Sequence, residues 1–146
     1  MMINITIDGR PVEVEEGTVV RIPGEDAALV VERRVQATLA GGANLLSGGR
    51  RSGTLIEPTV LASVSADAPV IAEETFGPVI AIRTFERAED AIAEVNAGPY
   101  GLQAGVFTND HALIKQFARD LAVGGVMVNE GPDFRVEHVP FGGIKA

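Results

Sequence analysis

Apolar and polar residues alternate at the start of the chain. Ile3, Ile5 and Ile7 fall on one face of an extended segment and Asn4, Thr6 and Asp8 on the other. Asp8-Gly9 is a two-residue turn signal, and Val12 and Val14 resume the alternation. Residues 3–16 therefore predict a β-hairpin with a type I′ turn, which is marginal in water unless it packs on something. Residues 18–25 read as a connector broken at Pro23-Gly24. Beyond it the period lengthens. Asp26 is placed to cap a helix, Ala28, Val31, Val35 and Leu39 recur at helical spacing, and Gly41-Gly42 ends the run. Leu45-Leu46 is a short apolar run, residues 50–53 read as a turn, and residues 55–64 are extended in character with Pro58 as an interruption.

From Val79 onward the pattern is more regular. Residues 79–85 form an apolar run of strand length. Ala88, Ala91, Ile92 and Val95 give a helical stripe that stops at Gly98-Pro99. Residues 103–108 predict a second strand. Asp110 predicts the cap of a second helix with Leu113, Phe117, Ala118 and Leu121 on its inner face, and residues 125–129 a third strand. Strand–helix–strand–helix–strand with short links implies right-handed crossovers and a parallel sheet. The fold class expected is α/β: a parallel sheet with crossover helices, preceded by a β-hairpin.

Length and composition narrow the functional classes. The 146 residues make one ordinary domain, and 46% hydrophobic against 22% charged residues is the balance of a globular chain rather than a disordered one. Twelve basic and twenty acidic side chains give a net charge of −8, spread evenly between the two halves, which argues against electrostatic nucleic-acid binding. There is no cysteine, which excludes disulfides, thiolate metal ligation and a cysteine nucleophile within this sequence. The only histidines, His111 and His138, are far apart, so no metal site is expected. No apolar run has the length of a membrane span and the N-terminus has no secretory pattern, so a cytoplasmic protein is expected.

Ligands of open parallel sheets bind beyond the carboxyl ends of the strands. The third strand ends at Asn129, and residues 130–143 form a long loop with two phenylalanines, four charged residues, a histidine and three glycines. Such a loop is either a binding loop or a surface loop whose aromatics tuck into the core. Glu73-Glu74-Thr75-Phe76-Gly77-Pro78 is the second candidate: an acidic pair that orients hydroxyls, or a solvated turn. The Gly48-Gly49 pair, followed by two arginines, reads as a tight turn ahead of a phosphate contact. No G-x-G-x-x-G, Walker A or G-x-S-x-G pattern is present.

Four ordered motifs carry a family resemblance: Glu-Glu-Thr-Phe-Gly-Pro-Val (73–79), Tyr-Gly-Leu-Gln-Ala-Gly-Val-Phe-Thr (100–108), Gly-Gly-Val-Met-Val-Asn (124–129) and Pro-Phe-Gly-Gly-Ile-Lys (140–145). Together they resemble the C-terminal part of the aldehyde dehydrogenase superfamily, and residues 26–60 continue the match upstream. The form of residues 134–143 resembles the branch that handles lactaldehyde, semialdehydes or non-phosphorylating glyceraldehyde phosphate oxidation. The resemblance implies oxidation of an aldehyde to a carboxylic acid, with NAD or NADP taking the hydride after a cysteine thiolate has attacked the carbonyl. Glu74 matches the glutamate that hydrogen-bonds the nicotinamide ribose, and Phe76 the aromatic beside the nicotinamide. Phe134 and Phe141 match aromatics of the substrate tunnel, and Asn129 and Pro140 shape that loop. Arg135 and His138 are candidates for contact with an anionic substrate tail.

No catalytic residue of the family carries over. The nucleophile, general base, oxyanion-stabilising asparagine and dinucleotide-binding domain lie upstream of the matched segment. The expectation is a truncated family member, inactive alone, that does not hold NAD or NADP tightly. Alternatives are a non-catalytic interaction module, self-associating or paired with a full-length homologue, and a gene remnant. Two segments are expected: residues 1–20, a hairpin of foreign origin that resembles the opening of a β-grasp ferredoxin-like domain without its cysteines, and residues 25–146, the partial catalytic domain.

Overall fold

Helix α1 (Glu25–Ala40) is set by the spacing of Ala28, Val31 and Val35, which are buried along one side together with Thr38. Its N-cap is Gly24, which contributes no side-chain hydrogen bond, and Asp26 lies inside the first turn beside Glu25. The two carboxylates thus act on the positive end of the helix dipole, and the cap expected of Asp26 is not made. The helix closes at Gly41, whose N–H reaches the Ala37 carbonyl at 3.0 Å. The computed structural model describes residues 2–7, 10–15, 18–133 and 137–145, the first two stretches as backbone. It divides into two compact units, Met1–Thr84 and Phe85–Ala146.

In the first unit, β1 (Met2–Ile7) and β2 (Arg10–Glu15) pair antiparallel with Ile7 opposite Arg10, as the alternation predicts. The turn at Asp8-Gly9 lies outside the described residues. After β3 (Val20–Arg21), α1, β4 (Asn44–Ser47), β5 (Arg51–Ser52), β6 (Leu55–Ile56) and β7 (Thr59–Ala62) come the single-turn α2 (Pro69–Ala72) and β8 (Val79–Ile82). One sheet has the order β3-β6-β5 and another β4-β7-β8, in which β7 and β8 run parallel with Thr59 opposite Val79. Leu61 is fully buried and packs with Val64 and Ala68, against which Leu39 of α1 and Val70 and Ile71 of α2 close. Ile22, Ala28, Val31 and Ile56 form a second cluster that Val79 joins. The brevity of α2 gives no periodic signal, and β3 and β5 are too short to alternate. These are the elements the sequence pattern does not reveal.

In the second unit, α3 (Ala88–Ala97), β9 (Gln103–Val106), α4 (His111–Asp120) and β10 (Gly125–Val128) form a crossover unit in which β9 and β10 pair parallel. The parallel partner of β8 is β7, so the three strands that the sequence groups into one sheet are divided between two. Asp110 caps α4 as expected: Oδ1 accepts from the N–H of Ala112 at 2.7 Å and of Leu113 at 3.4 Å. Ile92, Val106 and Leu121 form the core with Phe117, Val123 and Val126 around them. Ala118 and Val95, expected on inner faces, are exposed. Asn96 joins the two helix ends, its Nδ2 donating to the Asp120 carbonyl and its Oδ1 accepting from Ala122 N–H, both at 2.7 Å. Among the described residues no helix is long and apolar enough to cross a membrane.

Two stability outcomes follow from this packing. Leu61→Ala empties a fully buried site and is expected to cost about 2–5 kcal/mol in urea denaturation, against about 1 kcal/mol for loss of the α4 cap in Asp110→Ala. Three carboxyls are held below their ordinary values: Asp67 by the Ser65 hydroxyl, Glu89 by the Gln116 amide and Asp120 by Arg119. A depressed folded-state value contributes stability above the unfolded value, near pH 4, and loses it as pH falls through the folded one. Melting temperatures measured from about pH 6 down to 2 are therefore expected to decline below about pH 4.

Candidate functional site

The Glu73–Pro78 turn joins α2 to β8. Helix α2 ends at Glu73, whose N–H reaches the Pro69 carbonyl at 3.1 Å. The Thr75 carbonyl then accepts from Gly77 N–H at 3.0 Å, and the Gly77 carbonyl from Val79 N–H at 2.8 Å. Pro78 hands the chain to β8, its carbonyl accepting from Thr59 N–H at 2.8 Å. Gly77 sits directly on α1: a Cβ there would lie 2.8 and 2.9 Å from the two methyls of Val31. The turn therefore approaches the helix so closely that a side chain at residue 77 would force Val31 or the turn to shift.

Arg34, one helical turn beyond Val31, reaches the same segment. Its Nη2 pairs with Glu73 Oε2 at 2.7 Å, and its Nη1 donates to the Glu74 carbonyl and, at 3.3 Å, to Thr75 Oγ1. The two glutamates are therefore not equivalent. The Glu73 carboxylate is taken by Arg34, whereas Glu74 is exposed with its backbone held. Phe76 is 77% exposed, its ring bare at the crest of the turn. Glu74 and Phe76 are thus both exposed on one turn. Arg34 was not among the sequence candidates, because the residues it binds lie 39 to 41 positions away and no local pattern links them.

The second candidate segment follows β10. Asn129 has a positive φ of 56°, and its side chain extends the ladder beyond the strands. Oδ1 accepts from Thr108 N–H at 2.9 Å and Nδ2 donates to the Thr108 carbonyl at 3.1 Å, so one amide side chain pairs with both backbone groups of one residue. Residues 139–142 then pass back over the start of the sheet. A Cβ at Gly124 would collide with the Gly142 carbonyl oxygen, so the strap lies directly on backbone. Lys145 ties it down: its Nζ donates to the carbonyls of Val95, Asn96 and Gly98 at 2.8, 3.3 and 3.0 Å, at the negative end of α3.

Between strap and strands lies a cleft of about 170 Å³. Phe141, Pro140 and Val139 line one wall, and Leu102, Gln103 and Met127 the other. Phe141 and Pro140 are thus placed on an apolar cleft, whereas His138 is exposed and is not part of its lining. Phe134 and Arg135 lie outside the described residues. The Gly48-Gly49 pair lies in the link between β4 and β5 with positive φ at both residues, and the Gly49 N–H is spent on Thr59 Oγ1 at 3.0 Å rather than open to a phosphate. No group of three or more His, Cys, Asp or Glu among the described residues could hold a metal ion.

The comparisons with known proteins accord with this architecture. The model of the aldehyde dehydrogenase family matches residues 10–146. The 3-sulfolactaldehyde dehydrogenase of Priestia aryabhattai is 42% identical over 79% of this chain and 24% of its own length. The lactaldehyde dehydrogenase of Methanococcus vannielii is 43% identical over 82% of this chain and 26% of its own. Among solved structures, aldehyde dehydrogenase 21 from Physcomitrella patens, in complex with the reaction product succinate, superposes with a TM-score of 0.83 at 39% identity, covering 86% of this chain and 26% of that one. Glyceraldehyde-3-phosphate dehydrogenase from Methanocaldococcus jannaschii, complexed with NADP, gives 0.81 at 38%, covering 86% and 27%. The chain thus spans about a quarter of the length of the curated relatives it matches. With its sequence matched by the family model and its fold shared with solved members, the chain belongs to the aldehyde dehydrogenase family.

Proposed function

We propose that this chain supplies the nicotinamide-facing turn and one wall of the substrate path in an NAD(P)-dependent aldehyde dehydrogenase catalytic domain, and that it does not turn over alone. The observation that carries this reading is the Glu73–Pro78 turn, which leaves the Glu74 carboxylate and the Phe76 ring outward while fixing the backbone between them. A carboxylate suits the hydroxyls of a ribose, as a strong acceptor of O–H hydrogen bonds. An open phenyl ring suits a flat nicotinamide. These residues fit the nicotinamide riboside half of a dinucleotide. No G-x-G-x-x-G loop is present for its phosphates, and the Gly49 N–H is already bonded, so tight binding of NAD or NADP by this chain is not part of the proposal. When bound, the cofactor accepts a hydride from the substrate.

Phe141 on its cleft, with Phe134, would wall the aldehyde's path. Arg135 and His138 would meet an anionic substrate tail. The matched relatives support that last role by their names, which include a sulfolactaldehyde, a sulfoacetaldehyde and an aspartate-semialdehyde dehydrogenase. The attacking thiolate has to come from outside this sequence, which has no cysteine. Residues 1–20 are proposed as a separate hairpin ahead of the catalytic segment, 25–146. Among the described residues its two strands form a sheet of their own.

The test is steady-state oxidation of lactaldehyde and sulfoacetaldehyde with NAD or NADP, by the chain alone and by the chain mixed with the cysteine-bearing upstream portion of the Methanococcus vannielii relative. No turnover is expected alone, and turnover in the mixture. Glu74→Gln is expected to lower kcat of the mixture about 10- to 100-fold, the equivalent of one charge-assisted hydrogen bond. Turnover by the chain alone, or an unchanged rate in Glu74→Gln, would overturn the reading.

A further inference from the structure

Helix α1 holds the candidate turn at two points on one face. Val31 and Arg34 are three residues apart and so are neighbours on the helix surface. Val31 seats Gly77, and Arg34 binds Glu73, Glu74 and Thr75. The segment is therefore held at 73, at the 74 and 75 backbone and hydroxyl, and at 77. The groups left outward are the Glu74 carboxylate and the Phe76 ring. The guanidinium does this as a planar fork, with one nitrogen on a carboxylate and the other shared between a carbonyl and a hydroxyl.

We propose that Arg34 is the positioning residue of this turn, fixing the Glu74–Thr75 peptide so that Glu73 is consumed as its ion-pair partner and Glu74 is presented to the ribose hydroxyls of a nicotinamide nucleotide. The inference rests on the role given above to Glu74 and Phe76. The bonds of Arg34 are to Glu73, Glu74 and Thr75, so its part is to position the turn. It acts by holding the carbonyl of Glu74, which sets the plane from which that side chain departs. Its side chain is 19% exposed and that of Glu73 is 60% exposed, so the ion pair alone is of the kind that water and salt weaken. The hydrogen bonds to the backbone carbonyl and to Thr75 Oγ1 distinguish a clamp from an ordinary surface pair. Thr75 Oγ1 also donates to the Glu73 carbonyl at 3.2 Å, closing the turn on itself around the guanidinium.

Three variants separate the contributions. Glu73→Gln removes the ion pair and keeps the fork. Arg34→Lys keeps the charge and loses the fork, and Arg34→Gln loses both. Amide hydrogen exchange is followed at Gly77 and Val79, with β9 of the second unit as the internal reference, and saturation transfer to the ring protons of nicotinamide mononucleotide is read on the same samples. Both Arg34 variants are expected to speed exchange at Gly77 and Val79 about tenfold, with β9 unchanged, whereas Glu73→Gln changes it by less than about twofold. Saturation transfer is expected to fall in both Arg34 variants and to persist in Glu73→Gln. If Arg34→Gln does not fold, Arg34→Lys carries the comparison. Exchange at Gly77 within twofold of the parent in the Arg34 variants, or equal effects of Glu73→Gln and Arg34→Lys, would overturn the clamp. Exchange as expected but no transfer to the nucleotide from the parent chain would sustain the clamp and overturn the nicotinamide role of the turn.

Discussion

The contact that organises the candidate site is the seating of the Glu73–Pro78 turn on helix α1, close enough that a Cβ at residue 77 would displace Val31. An interface this tight is intolerant of small shifts, because packed surfaces are bistable rather than continuously deformable. It couples the α1 face to β8 through Pro78, and to β7 through the Thr59 N–H that Pro78 accepts. The buried cluster of Ile22, Ala28, Val31 and Ile56 supports the same helix from beneath. The turn is thus carried on a helix and a sheet, and its two outward groups inherit that rigidity.

The second unit meets a similar demand with polar side chains that complete backbone pairing. Asn129 replaces a missing ladder step with its amide, Asn96 joins the ends of α3 and α4, and Lys145 satisfies carbonyls at the end of α3. Each of these groups stands where a regular element stops and its last donors or acceptors would otherwise face solvent or apolar surface. The cleft beside Phe141 is a product of this arrangement, since the strap that carries Phe141 crosses the sheet between Gly124 and the Lys145 anchor.

Much of this was legible in the sequence. The helical spacing of Ala28, Val31 and Val35, the Asp110 cap and the runs at β9 and β10 are local signals, and the structure places them as read. The four ordered motifs pointed to the family, and the comparisons bear that out. What escaped is non-local or too short. Strand pairing is not encoded in a run of valines, so β8 was grouped with β9 although its partner is β7. Asp26 resembles a cap in the sequence, but Gly24 begins the helix without a side-chain cap and leaves the acid to the dipole. Arg34 gave no signal, since an arginine on a helix face looks the same whether it meets water or a turn 40 positions on.

The aldehyde dehydrogenase reading assigns this chain only part of a cofactor site: a ribose acceptor and a ring platform, with nothing for the adenosine half. That division is directly measurable. Titration calorimetry of the purified chain with nicotinamide mononucleotide and with NAD is expected to give the same weak affinity for both, on the order of 1 mM, because the additional half of NAD finds no partner. NAD binding a hundredfold more tightly than the mononucleotide would contradict the account, since it would require a dinucleotide cradle within these 146 residues.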